Sequence, residues 1–321
     1  MTTRAAFRLG ADRLLDRLTA DYGEDGTALA APDDIQLYYK LPAAFALGGR
    51  RAFAGRIVDA FVKRFVDDGN LRLDQYSGPW KVYVAGWAAW GAGSLSRFDA
   101  ARLIMGTALG DFDPSVGAFR SEIEGRQVFD TVRTSGAAMG LIWAMDLDRA
   151  RGIARFLKRA VAAQSRPRHF DTLIDKDGNP VATEDRMSCF AADDEWAYPA
   201  IFGTTVASLT WLGRVTEDDE FFRLAHQYVQ VVLSSDHDPS KMPLATKLGW
   251  AALMLSRHVD DPALLRFAEG IGESLLQRQR EDGSLDFEDV PDVPKPIDRD
   301  SQVGWSCDAV TTLIALGDGG S

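Results

Sequence analysis

Side chains that could do chemistry gather, in this sequence, at the points where uncharged segments begin. Asp193, Asp194 and Glu195 precede the uncharged run 196–213, Asp130 precedes the run 134–145, and Asp300 and Asp308 lead into 309–317. A carboxyl held in an apolar setting, or beside another carboxylate, keeps its proton longer and can serve as a general acid. Asp194 is the candidate acid on this reasoning, with Asp308 or His169 as the base. Asp130 and Asp194 are the candidate pair if the reaction needs two carboxyl groups. The plain alternative is capping, because a carboxylate also accepts the free N–H groups of a first helical turn, which suits Asp33, Asp193 and Asp300.

Four cations enter the same kind of segment: Lys40, Lys81, Arg133 and Lys247. A charge surrounded by apolar neighbours needs a counter-charge, so each pairs with a carboxylate or binds an anionic substrate such as a carboxylate, enolate or uronate. Asp308, in an otherwise apolar stretch, is expected either to pair with a base such as Lys40 or to be functional. Tyr39, Trp80, Trp196, Tyr198 and Trp305 stand beside these charges as candidate substrate-binding rings, and Cys307 sits between Trp305 and Asp308. Tyr76 lies just ahead of Trp80. The spacing of Trp80, Tyr83, Trp87 and Trp90 puts four rings on one helix, either as core or as a flat wall for stacking. The four histidines show no H-x3-H or H-E-x-x-H spacing, so no metal site is expected. No phosphate-binding or dinucleotide-binding glycine motif occurs, and no cofactor is expected.

The elements that position these residues follow from a period of 3.6. Twelve helical segments alternate between two kinds. One kind is charged and amphipathic, as in 50–68, 146–164 and 217–234; the other is almost uncharged, as in 41–49, 82–96, 134–145, 196–213, 248–256 and 309–317. A helix apolar on every side must be covered on every side. Six uncharged helices inside six charged ones satisfy that demand. The expected fold is therefore all-α, an (α/α)6 toroid of two concentric rings, with residues 1–321 as one domain. Its units are approximately 1–49, 50–96, 97–145, 146–214, 215–258 and 259–321. Short links join each inner helix to the next outer one, and longer links such as those at Gly26, Gly69, Gly178 and Gly283 lead to the inner helices' N-termini. The open mouth and the active site are expected at those N-termini, with the other end closed and structural. About thirty residues, 165–194, form an insertion in the fourth unit, either a hairpin or lid over the mouth or a surface excursion.

Composition sets limits on partners. With 36 Lys and Arg against 47 Asp and Glu the net charge is −11, which disfavours nucleic acid and anionic membranes. Two cysteines far apart, an absent secretion-type apolar segment and a longest uncharged run interrupted by Pro199 suggest a cytoplasmic protein without a membrane span. The expected partner is a small molecule, and the oligomeric state is not specified by the sequence.

Leu275, Gln279 and Gly283 follow the spacing L-x3-Q-x3-G, with Asp282 and Ser284 flanking the glycine. This resembles the repeat of the alpha-alpha toroids of the terpenoid cyclase and protein prenyltransferase type, and the helix-to-turn signature of unsaturated glucuronyl hydrolases. Linalool dehydratase-like toroids share residue types only. The cyclase resemblance implies an acidic D-x-D-D-T motif; the nearest segment, 191–195, has Ala191 in place of the first aspartate and Glu195 in place of the threonine.

Three readings of function follow. The first is a cofactor-independent, metal-independent lyase, isomerase or cyclase using acid–base chemistry on a mostly apolar, terpenoid- or polyketide-like molecule, with Tyr39, Lys40, Lys81 and Arg133 orienting its polar end. The second is a hydrolase or epimerase of an acidic sugar, and the third a ligand-binding protein without catalysis.

Overall fold

The computed structural model describes residues 2–73, 80–123, 125–183, 185, 187–242, 244–290 and 295–319; Tyr76 lies outside them. The uncharged segments form α2 (Leu41–Leu47), α4 (Lys81–Ser94), α6 (Thr131–Trp143), α8 (Ala200–Thr216), α10 (Thr246–Leu255) and α12 (Arg299–Gly317). The charged ones form α1 (Arg4–Thr19), α3 (Arg51–Phe65), α5 (Phe98–Gly106), α7 (Leu147–Ala162), α9 (Asp219–Leu233) and α11 (Pro262–Arg278). Helices of the first kind pack in a closed ring, α2 on α4, α4 on α6, and so on to α12 on α2. Each outer helix leans on the inner helix before it, and α1 leans on α12.

Burial follows the composition of each ring. Every residue from Val82 to Gly93 of α4 is buried, whereas α3 buries only the stripe Ala54, Ile57, Val58, Ala60, Phe61 and Phe65. That stripe repeats at intervals of three and four, as a helix with one covered face requires. The tightest crossing in the inner ring is α4 on α6: a Cβ added at Gly86 would stand 2.0 Å from the carbonyl oxygen of Gly136. Tryptophans fill the axis below it. Trp90 stacks on Trp250 at 5.0 Å with an interplanar angle of 13°, and meets Trp87 at 4.9 Å and Trp211 at 5.0 Å. The centre is therefore solid, and the space left over lies at its two ends.

Three boundaries differ from the sequence expectation. Helix α8 begins at Ala200, four residues after Trp196, because Pro199 suits a helix start and the preceding residues are held in turns. Helix α12 begins at Arg299 rather than Ala309: Asp298 accepts from the Ser301 N–H at 2.7 Å and caps it, so the charged residues 299–308 are already helical. The long link of the third unit is a β-structure, not a plain breaker. Strands β3 (Phe112–Asp113), β4 (Ala118–Ile123) and β5 (Arg126–Asp130) pair with β7 (Leu173–Ile174) from the fourth-unit insertion. The insertion's other strands, β6 (His169–Asp171) and β8 (Cys189–Ala191), pair antiparallel. A short hairpin, β1 (Val66–Asp67) with β2 (Asn70–Leu71), closes the second unit's turn.

Candidate functional site

The first turns of the inner helices surround a cavity of about 160 Å³. All six contribute, from Lys40 at the start of α2 to Val132 in α6, Ala200 in α8 and Lys247 in α10. The insertion reaches the same cavity through Met187. Tyr39, Trp80, Tyr83 and Trp305 give it aromatic walls; the Trp80 and Tyr83 rings meet edge to face at 5.6 Å, and Tyr39 and Tyr83 at 6.2 Å.

Asp308 is the charged residue at its base. It sits ten residues into α12 with 1% of its surface exposed, and the Lys40 Nζ donates to its Oδ2 at 2.8 Å. Lys40 also donates to the Gly304 carbonyl at 3.2 Å. The pairing expected of Asp308 is thus present, across 268 residues of chain. Burial opposes the charge on Lys40, but Asp308, with Tyr39 and Tyr83, outweighs it and holds the ammonium well above the ordinary lysine range. Asp308 Oδ1 is buried and has no hydrogen-bond partner among the described residues. A buried carboxylate oxygen without a donor is costly, so this atom is poised to take one.

Lys247 behaves in the opposite way. Its Nζ lies 4.0 Å from Asp308 Oδ2 and donates to the Tyr83 hydroxyl at 2.9 Å. Burial, helped by the charge of Lys40 and only partly countered by Asp308, brings its pKa down to about 8. Tyr83 is pushed up to about 12 by burial, against the pull of Lys40, and burial raises Tyr39 as well. The cavity thus holds two amines that share one carboxylate, and burial brings the pKa of one of them down to about 8.

Other residues singled out from the sequence lie elsewhere. Asp194 accepts from the Trp196 N–H at 2.9 Å in a turn; Glu195 and Trp196 are exposed and Tyr198 is buried, and none of the four lines the cavity. The late start of α8 is the reason, since it leaves 194–196 in turns ahead of the helix instead of in its first turn. His169 Nε2 contacts Asp171 Oδ1 at 3.3 Å and the Arg166 guanidinium, within the insertion. Asp130 caps α6, accepting from the N–H groups of Val132 and Arg133, and burial raises its pKa despite the Arg133 charge. Arg133 Nε is 3.2 Å from Asp130 Oδ2, within ion-pairing range though not aligned for a hydrogen bond. Its guanidinium stacks over Trp80 at 4.6 Å and so backs the cavity wall. Lys81 reaches Asp111 at 3.5 Å and does not line the cavity. Cys307 is fully buried, and burial raises its thiol pKa, which keeps it from acting as a thiolate. Of the expected set, Tyr39, Lys40, Trp80, Lys247, Trp305 and Asp308 come together at the cavity.

Sequence reasoning missed Gln36, Met187, Leu244, Ser301 and Gly304 as lining residues. Gly304 carried a readable signal: it stands one helical turn before Asp308, and a Cβ there would lie 3.7 Å from Lys40 Nζ. Among the described residues no group of three or more His, Cys, Asp or Glu is placed to hold a metal ion. No described helix is long and apolar enough to cross a membrane.

No family model and no curated protein matches the chain. Solved structures do. An unsaturated glucuronyl hydrolase specific for heparin superposes with a TM-score of 0.65 at 14% identity, covering 98% of this chain and 97% of that one. An alpha-1,6-mannanase from Salegentibacter sp. HEL1_6 gives 0.66 at 13%, covering 96% and 99%. A type II terpene cyclase from Scytonema, solved with geranylgeranyl dihydroxybenzoate, gives 0.60 at 12%, covering 98% of each. The chain is an alpha-alpha toroid. Similarity this low in sequence fixes the toroid's architecture, and its chemistry rests on the cavity's own residues.

Proposed function

We propose that the toroid is an enzyme of the lyase or isomerase type, performing acid–base chemistry on a small molecule with an apolar body and a carbonyl or carboxylate end. The observation that carries this reading is Lys247: an amine brought down to about 8, facing an aromatic cavity and 2.9 Å from a tyrosine hydroxyl. In its neutral form it takes a proton from a carbon beside the substrate carbonyl. The Lys40 ammonium, held in place by Asp308 and Gly304, steadies the negative charge that develops on oxygen. Tyr83, protonated throughout the neutral range, gives a proton to the product or leaving group and is restored through Lys247. Asp308 positions both amines. This distribution of roles replaces Asp194 and His169 with Lys247 and Tyr83.

The sugar reading is supported by the fold's likeness to hydrolases, one of them specific for heparin, and by the cavity's two lysines. The carboxylates weigh against it. The pair expected from the sequence does not form at the cavity: Asp130 caps α6 and Asp194 lies in a turn, and neither lines it.

The test is hydrogen–deuterium exchange at carbon, followed by NMR in D2O, with aromatic and terpenoid 2-oxo acids and ketones in one set and uronic acids and unsaturated uronides in the other. Exchange or turnover in the first set, rising with pH to a plateau above about 8 and lost in Lys247→Met, is the expected result. Activity that survives Lys247→Met overturns the assignment. Sugar release from the second set with no exchange in the first moves the reading to the hydrolase.

A further inference from the structure

The opposite end of the ring was expected to be closed and purely structural, yet it holds a second cavity. Its volume is about 280 Å³, and it shares no lining residue with the first. The C-terminal turns of all six inner helices enclose it. Its floor is made by Trp90, Trp143, Trp211 and Trp250, four of the chain's eight tryptophans. Trp143 and Trp211 meet edge to face at 5.8 Å and Trp211 and Trp250 at 5.3 Å, so the four rings form one contiguous aromatic floor.

Its rim is cationic. Arg51, Arg214 and Arg257 line it, with Asp318 as the one carboxylate among the described lining residues. The ordinary task of an arginine at helix C-termini is to donate to the last carbonyls. Arg51 does this, donating to the Ser94 carbonyl at 3.0 Å, and Asp318 is taken up by Arg8 at 3.3 Å. Arg214 and Arg257 make no ion pair or hydrogen bond among the described residues. Both side chains are exposed at the rim; partial burial lowers the Arg257 pKa, and Arg214 is near enough for its charge to add to that effect. On a chain of net charge −11, two unengaged arginines over a tryptophan floor form a local reversal of sign.

We propose that this second cavity binds a small organic anion with a flat apolar body, an aromatic carboxylate being the simplest case. The body lies against the Trp143, Trp211 and Trp250 rings, and the carboxylate meets the Arg214 and Arg257 guanidiniums, where planar two-point recognition is available.

The test uses the full chain, 2-naphthoate as probe and 2-naphthalenemethanol as its neutral counterpart, with binding measured by calorimetry. Naphthoate binds and the neutral compound binds at least about tenfold more weakly. Arg214→Gln combined with Arg257→Gln weakens naphthoate binding by about tenfold, and Ala315→Trp, which fills the cavity without touching a charge, removes it. The titrations are repeated in Lys247→Met, which separates any naphthoate held by the first cavity; the component lost in Ala315→Trp persists in Lys247→Met. Circular dichroism verifies each fold; should the arginine variant fail it, Ala315→Trp and the loss of wild-type affinity with added salt decide the question. Equal binding of the neutral compound overturns the proposal. So does binding that withstands Ala315→Trp undiminished, or binding lost altogether in Lys247→Met, which would place the anion on the lysines instead.

Discussion

Lys247 and Lys40 show how one helix register sets two lysines apart. Both amines are near Asp308 Oδ2, at 4.0 and 2.8 Å, but only Lys40 also gains a carbonyl acceptor. The buried charge on Lys247 opposes folding. Its folded pKa of about 8 lies below the 10.5 of an unperturbed lysine, so the unfolded chain binds the extra proton between those values, and this group's contribution to stability rises with pH across that window. Lys247→Met should therefore raise the stability at pH 7, by up to about 3 kcal/mol, seen as a higher thermal midpoint, and the gain should vanish above pH 10.5. Melting curves of both proteins from pH 6 to 11 check this. Asp308→Asn should do the reverse, leaving the Lys40 charge buried without its counter-ion at a cost of about 3–5 kcal/mol. Lys40→Met with Asp308→Leu should recover most of that in denaturant titrations. At this scale the sequence left Asp308 either paired with a base such as Lys40 or functional, and left Lys40, Lys81, Arg133 and Lys247 either paired with carboxylates or facing an anionic substrate. It could not divide the partners, because Asp130, Asp111 and Asp308 look alike until their helices are placed.

Helix packing explains why the ring tolerates so little change in places and so much in others. Gly86 faces the backbone of α6, with the Gly136 oxygen where a methyl would go. Gly86→Ala should cost about 1–3 kcal/mol by forcing α4 and α6 apart. The outer-ring Gly55 has nothing within 4 Å of its missing Cβ, so Gly55→Ala should stabilise α3 by about 0.5–1 kcal/mol. Chemical denaturation of the two variants checks both signs. The alternation of uncharged and charged helices was legible because full and one-sided burial demand different compositions. The starts of α8 and α12 were not. Asp194 looked like a first-turn residue only while α8 was taken to begin at Trp196, whereas Asp308, two turns after Asp300, does line the entrance cavity. Strands β4 and β5 escaped notice because each is no longer than six residues, too short for an alternating pattern to stand out beside helices.

The molecule as a whole depends on closing its ring. Helix α12 packs on α2 and also on α1, whose buried residues include Phe7, Leu14, Leu15 and Leu18. Deleting residues 2–19 uncovers one face of α12 and should abolish the single cooperative melting transition while raising the binding of an apolar dye, which calorimetry and fluorescence measure. The same closure creates the site, since Lys40 and Asp308 meet only because the last helix returns to the first two. The sequence by itself determined the helical class, the two-ring arrangement and the end of the ring at which Lys40, Lys247 and Asp308 gather. Those follow from composition, period and turn residues, which act within a few residues of chain. Only the tertiary structure decided that Lys247 shares Asp308 with Lys40 at the longer distance, that Asp130 caps α6 beside the Arg133 charge and that the far end is hollow. Each of these depends on the rotation and height of one helix against another, set by contacts such as Gly86 on Gly136 and Trp90 on Trp250 between residues far apart in the chain.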